Sequence, residues 1–259
     1  MTQAPATVDE LGLQGCLYLW ALLTAQDRRL PVAPTRRMAF VVLAGLHGRG
    51  VIDVADADSD WEFKPDARVS PIEGFRWRLT WMVYEPHLLT TALEDYFDTL
   101  EWDDFMTAAR LCLWTELGSA EAEHFFEQQL VKHKFPAEWA QDMAFAYREK
   151  APTLTIAQWR YCAWAAVRRG ASMALQQSPQ AEGLREAIYQ EIRCRAVSVA
   201  SGAWKGCSFP PFNLEPHNAL GRGFASLVTH LGPLYWTAWP SIESLLGRHA
   251  GCACAHNDP

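Results

Sequence analysis

Apolar residues recur along this chain mostly at the spacing of helix turns. Leu11, Leu13, Leu17, Leu19, Trp20, Leu22 and Leu23 carry a first helix to about Ala25, and Thr7 with Glu10 three residues on forms a capping box at its start. Thr35 caps a second helix, Arg36 to about Gly48, whose stripe is Phe40, Leu43, Ala44 and Leu46. The period then changes. Val51, Ile52 and Val54 read as a short strand. From Phe75 to Val83, Trp77, Leu79, Trp81 and Val83 alternate with Arg76, Arg78, Thr80 and Met82, which predicts a second strand beyond a loop rich in Asp, Pro and Gly.

From Glu85 onward the helical period returns. Pro86 suits the first turn of a helix to about Thr99. The spacing predicts further helices over 102–117, stopped by Gly118, and from a cap at Ser119, with Glu121 and Glu123 near its positive end. Others are expected over 136–148, over 155–177 behind a Thr155–Gln158 capping box, and over 181–199. Short links between them predict antiparallel neighbours. The stretch 202–217, with Pro210, Pro211 and Pro216, reads as a loop, 218–231 and 241–248 as short helices, and 251–259 as a frayed tail.

The expected fold class is therefore mainly α. Two helices and a short β-hairpin (1–84) precede an antiparallel helical bundle (85–200), and an irregular segment with short helices (201–259) packs on that bundle. Leu43, Leu46, Gly48, Gly50, Val51 and Ile52 in LAGLHGRGVIDV resemble the helix-to-strand transition of a winged-helix domain, with the paired strands as its wing. The resemblance covers residues 8–83. It implies nucleic-acid binding through the second helix, with Arg36, Arg37 and Arg49 meeting phosphates, helped by Arg28 and Arg29. Asp53, Asp56, Asp58 and Asp60 on the wing oppose that use, because they repel a phosphate backbone. Winged helices also serve as protein-contact modules.

Composition adds the rest. The 259 residues include 49% hydrophobic side chains and twelve Trp, enough for a large core without disulfide or metal staples. The net charge is −7, but it is one block: residues 85–134 carry −8, 135–199 carry +2, 1–84 carry −1 and 200–259 carry none. Arg160, Arg168, Arg169, Arg185, Arg193 and Arg195 make the third part basic. Two expectations follow: pairing with the acidic block, or an acidic face around Asp95, Asp98, Asp103 and Asp104 that meets a basic partner protein. Seven cysteines, an odd number set mostly in apolar helical patterns, predict reduced thiols and a cytoplasmic location. The start, MTQAPATVDE, has neither the basic nor the apolar run of a secretion signal. No apolar run reaches the roughly 18 residues of a membrane span.

Metal signatures are fragmentary. Asp56-x-Asp58-x-Asp60 opens like a calcium loop, but Trp61 and Ala67 stand where that loop needs Gly and Glu. Glu121-x-x-His124 has the helix spacing of carboxylate-bridged metal bundles, near Glu94, Asp98, Glu101 and Asp104, but no second copy exists. Cys207, Cys252, Cys254 and His256 contain zinc-type donors at a spacing tighter than a knuckle. There is no G-x-S-x-G, phosphate loop, G-x-G-x-x-G or H-E-x-x-H. The expected function is binding and regulation, with no cofactor, by contact with DNA or a partner protein through the N-terminal part. The alternatives are an inhibitor or immunity-type protein using the acidic face, and a metal-dependent enzyme on the carboxylate-bearing helices.

Overall fold

A computed structural model describes residues 5–54, 77–150, 154–177 and 180–247. Among the described residues the chain is mainly helical, with one two-stranded antiparallel sheet. It divides into two compact units, Met1–Met106 with Pro216–His230, and Thr107–Glu215 with Leu231–Pro259.

In the first unit, α1 (Val8–Arg28) starts at Thr7, whose hydroxyl accepts from Glu10 N, while the Glu10 carboxylate accepts from Ala6 N at 2.7 Å. The helix outlasts the expected end at Ala25. It stops at Arg29, which takes left-handed backbone angles and bonds back to the Ala25 carbonyl. Thr35 caps α2 (Arg36–Gly48) by accepting from Met38 N. Strands β1 (Ile52–Val54) and β2 (Trp77–Leu79) pair with Ile52 opposite Leu79 and Val54 opposite Trp77. The second strand is shorter than its alternation predicts. Thr80 and Trp81 both direct their N–H groups to the Val51 carbonyl, and the Trp81 indole donates to Pro5 O at 2.7 Å, so the chain leaves the ladder there. Helix α3 (Pro86–Asp98) packs on α1.

The late segment returns to this unit. Asn218 caps α8 (Ala219–Gly223), whose first two N–H groups bond to Pro31 O and Val32 O. Gly223 lies so close to α1 that a Cβ there would meet the Trp20 ring at 2.7 Å. The helix expected over 218–231 is not continuous, since a π-turn, Phe224–Val228, follows α8, held by the Thr229 hydroxyl on Phe224 O.

In the second unit, the break expected at Gly118 is absent. One helix, α4 (Asp104–Lys132), runs through Gly118 and Ser119. Gly118 serves side-chain approach instead of termination, because a Cβ there would run into the Tyr147 hydroxyl. A 3-10 turn (Ala137–Ala140) leads into α5 (Gln141–Lys150). The capping box at α6 (Ile156–Gln177) is reciprocal, with Thr155 N donating to Gln158 Oε1 and Gln158 N to Thr155 Oγ1. Helix α7 (Ala181–Ala200) packs along α6, where Gly170 leaves room for Ile188. A single turn, α9 (Leu234–Thr237), brings Tyr235 and Trp236 inside. The core of this unit joins Phe125, Phe126, Leu130, Trp139, Met143, Tyr147, Trp159, Cys162, Ile188 and Ile192. No described helix is long and apolar enough to cross a membrane.

Candidate functional site

The basic candidates separate by exposure. Arg28 and Arg29 end α1, and Arg36 and Arg37 open α2; all four are exposed. No acidic residue stands in the first turn of α2, so its positive end adds to the arginines. Arg49 is held differently. Its guanidinium donates to Gly45 O at 2.9 Å and to Gln14 Oε1 at 3.4 Å, which turns it onto the end of α2. On the hairpin, Asp53 pairs with Arg78 at 3.1 Å. Asp56, Asp58 and Asp60 lie outside the described residues.

Asp95, Asp98, Asp103 and Asp104 are all exposed. Asp103 accepts from Met106 N at 2.6 Å, and Asp104 opens α4, both favourable positions at a positive helix end. Asp95 and Asp98 occupy the last turn of α3, the negative end, with no basic residue there. Glu94 is engaged structurally, accepting from the Trp20 indole at 3.0 Å.

The metal fragments do not assemble. Among the described residues no group of three or more His, Cys, Asp and Glu side chains could hold a metal ion. His124 is bonded to Gln128 at 2.9 Å. Cys207 is a half-buried free thiol, while Cys252, Cys254 and His256 lie outside the described residues. The ion pairs of the basic stretch run largely within its own neighbourhood. Arg185 forks onto Asp142 at 2.7 and 2.8 Å, Arg193 meets Glu149, and Arg169 and Arg195 both meet Glu191. Arg160 does face the acidic block, at Glu121.

Arg160 belongs to a polar cluster that the linear reading did not assemble. Its guanidinium carbon lies 4.2 Å from the Phe125 ring centroid and 5.3 Å from that of Trp236, and its Nε donates to Phe209 O at 3.0 Å. Burial pushes its pKa down to about 10, against the opposing pull of Glu121. Phe209 is fixed by its own N–H on Ala157 O and stacks on Trp164, with ring centroids 6.0 Å apart. Behind this layer Glu121 is buried at 4% exposure, and the fully buried Tyr235 hydroxyl faces it. Burial, then the charges of Glu121 and Tyr147, hold the Tyr235 proton far above its usual range. Tyr147 packs on Trp159 at 5.3 Å between ring centroids.

Trp114, Gly118, Glu121 and Phe125 share one face of α4, at intervals of four, three and four. That interval was the available signal. Reading Gly118 as a helix stop divided the face in two and hid it.

No protein-family model, curated protein or solved structure matches the chain.

Proposed function

We propose that the chain is a binding and regulatory protein of the cytoplasm that engages an anionic partner, DNA or an acidic protein surface, through its N-terminal part. In this reading residues 8–83 form a winged-helix-like module, and the helices beyond it form an antiparallel bundle. The observation that carries the reading is the exposure of Arg28 and Arg29 at the end of α1 and of Arg36 and Arg37 at the acid-free start of α2. Arginine presents a planar fork of donors suited to phosphate and carboxylate. A helix start adds backbone N–H groups and a favourable dipole. Because Arg49 is held against Gly45 and Gln14, Arg36 and Arg37 carry the weight of the proposal.

The test is retention on immobilised DNA and on heparin across a salt gradient, for the full chain and for Arg36→Glu with Arg37→Glu. DNA recognition requires retention at low salt that falls steeply as salt rises and is lost in the double variant. Absence of retention at low salt removes DNA, and capture of an acidic protein that is abolished by the same variant assigns the protein partner.

A second reading rests on α3. Asp95 and Asp98 stand where a helix disfavours negative charge, without a basic residue in that turn. Carboxylates kept at an unfavourable, exposed end suit recognition of a basic partner protein by an inhibitor or immunity-type protein. Replacing both by Asn weakens such a complex and leaves DNA retention unchanged.

A further inference from the structure

Arg160, Trp164 and Arg168 recur every four residues along α6 and form one stripe on that helix. The segment after α7 lies against the stripe. Phe209 stacks on Trp164 with ring planes 9° apart and packs on Phe125 at 5.6 Å between centroids. The Arg168 guanidinium carbon stands 4.8 Å from the Trp164 ring centroid. Tyr161, 6.0 Å from Trp164 between centroids, extends the cluster, because its hydroxyl meets both Arg195 and Cys207. Arg195 is anchored on Glu191 at 2.6 Å and lies 5.2 Å from the Trp204 ring centroid. All of these residues belong to the second unit. Despite their contacts, Trp204 and Phe209 each keep 41% exposure, and Arg168 and Lys205 are exposed. Glu191 takes Arg169 and Arg195, and Glu121 faces Arg160. Among the described residues no carboxylate pairs with Arg168 or Lys205, so this surface keeps a positive excess.

We propose that this surface of the second unit binds single-stranded nucleic acid, with Trp164, Phe209 and Trp204 as stacking platforms and Arg168 and Lys205 as phosphate contacts. A guanidinium laid on a ring engages only its flat face there, and its N–H edge stays available to a phosphate oxygen. Exposed rings beside such cations give an unpaired base a stacking partner whatever its identity. A duplex hides its base faces, so rings and cations together select single strands. An acidic protein surface would satisfy the cations and make no use of the rings. The net charge of −7 does not forbid the contact, because exposed charges beyond about 8 Å are largely screened at physiological salt.

Fluorescence anisotropy of a labelled thymidine oligonucleotide of about sixteen nucleotides tests this. The protein is the full chain carrying Arg36→Glu and Arg37→Glu, so the outcome is independent of the contact proposed for the N-terminal part. Binding is expected at about 50 mM salt, and it is stronger than to a duplex of the same length. Trp204→Ala and Arg168→Gln should each raise the dissociation constant about tenfold, and Trp204→Phe should keep most of the affinity. No binding overturns the proposal, and so does equal affinity for the duplex or unchanged affinity in either folded variant. Displacement of the oligonucleotide by polyglutamate at equal charge also overturns it and assigns an acidic protein to the surface. Arg168→Gln, at an exposed position, decides the matter if Trp204→Ala fails to fold.

Discussion

At the scale of single residues, Gly118 reverses its sequence meaning. Glycine in a helical pattern reads as a terminator because of its backbone freedom. Here it sits in mid-helix because the Tyr147 hydroxyl occupies the space a side chain would take. Gly118→Ala should raise local helix propensity and still destabilise the protein by about 1–3 kcal/mol, since overpacking outweighs propensity. Chemical denaturation measures this, and a more stable variant would sink the explanation. The thiols show a second contrast. Cys16 and Cys162 are fully buried, and burial pushes both pKa values up to about 12. Cys112 and Cys194 are exposed. Alkylation of the native protein near neutral pH, resolved by peptide mass, should label exposed Cys194 first, Cys112 more slowly because burial and the neighbouring Glu116 carboxylate raise its pKa, and Cys16 and Cys162 only once the chain unfolds. Early labelling of Cys162 would contradict the packing of α6.

At the scale of elements, what was legible is what local chemistry dictates. The caps at Thr7, Thr35 and Thr155 are written in a few consecutive residues, and all three side chains accept from backbone N–H groups at helix starts. Thr155→Ala removes one partner of a reciprocal box and should cost about 1 kcal/mol, measured by urea unfolding. Thr155→Ser should recover most of it, and equal losses in both variants would point to lost packing of the buried Thr155 methyl instead. Contact-driven features were not legible. Strand β2 ends at Leu79 because Thr80 and Trp81 both turn to the Val51 carbonyl, which alternation along the strand does not encode. Helix α9 has four residues, too short for any periodic signal, and exists because Tyr235 and Trp236 are buried. Of the candidate site, the exposed arginines of α2 were readable as residue types, whereas the hold of Gly45 and Gln14 on Arg49 depends on residues brought together by folding.

At the scale of the whole molecule, burial of titratable groups sets the response to alkali. Cys16 lies in the first unit and Cys162 in the second, so both units carry the effect. Burial dominates at each: Asp9 adds to it at Cys16, while at Cys162 Arg195 pulls down and Cys207 pushes up. Folded, these thiols keep their protons to about pH 12; in the unfolded chain they release them near 9.0. The raised folded values therefore contribute stability that is complete below pH 9 and lost as pH climbs from there towards 12. Tyr147 and Tyr235, also raised by burial, push in the same direction above pH 10. Unfolding free energy from denaturant melts should fall with increasing slope above pH 9. Replacing Cys16 and Cys162 by Ala lowers stability at neutral pH by opening cavities, but it removes two of the protons released on unfolding. The double variant should therefore lose less stability between pH 9 and 11 than the parent. An identical slope would mean that these thiols ionise in the folded protein as freely as in the unfolded chain, and that the interiors around α1 and α6 admit solvent.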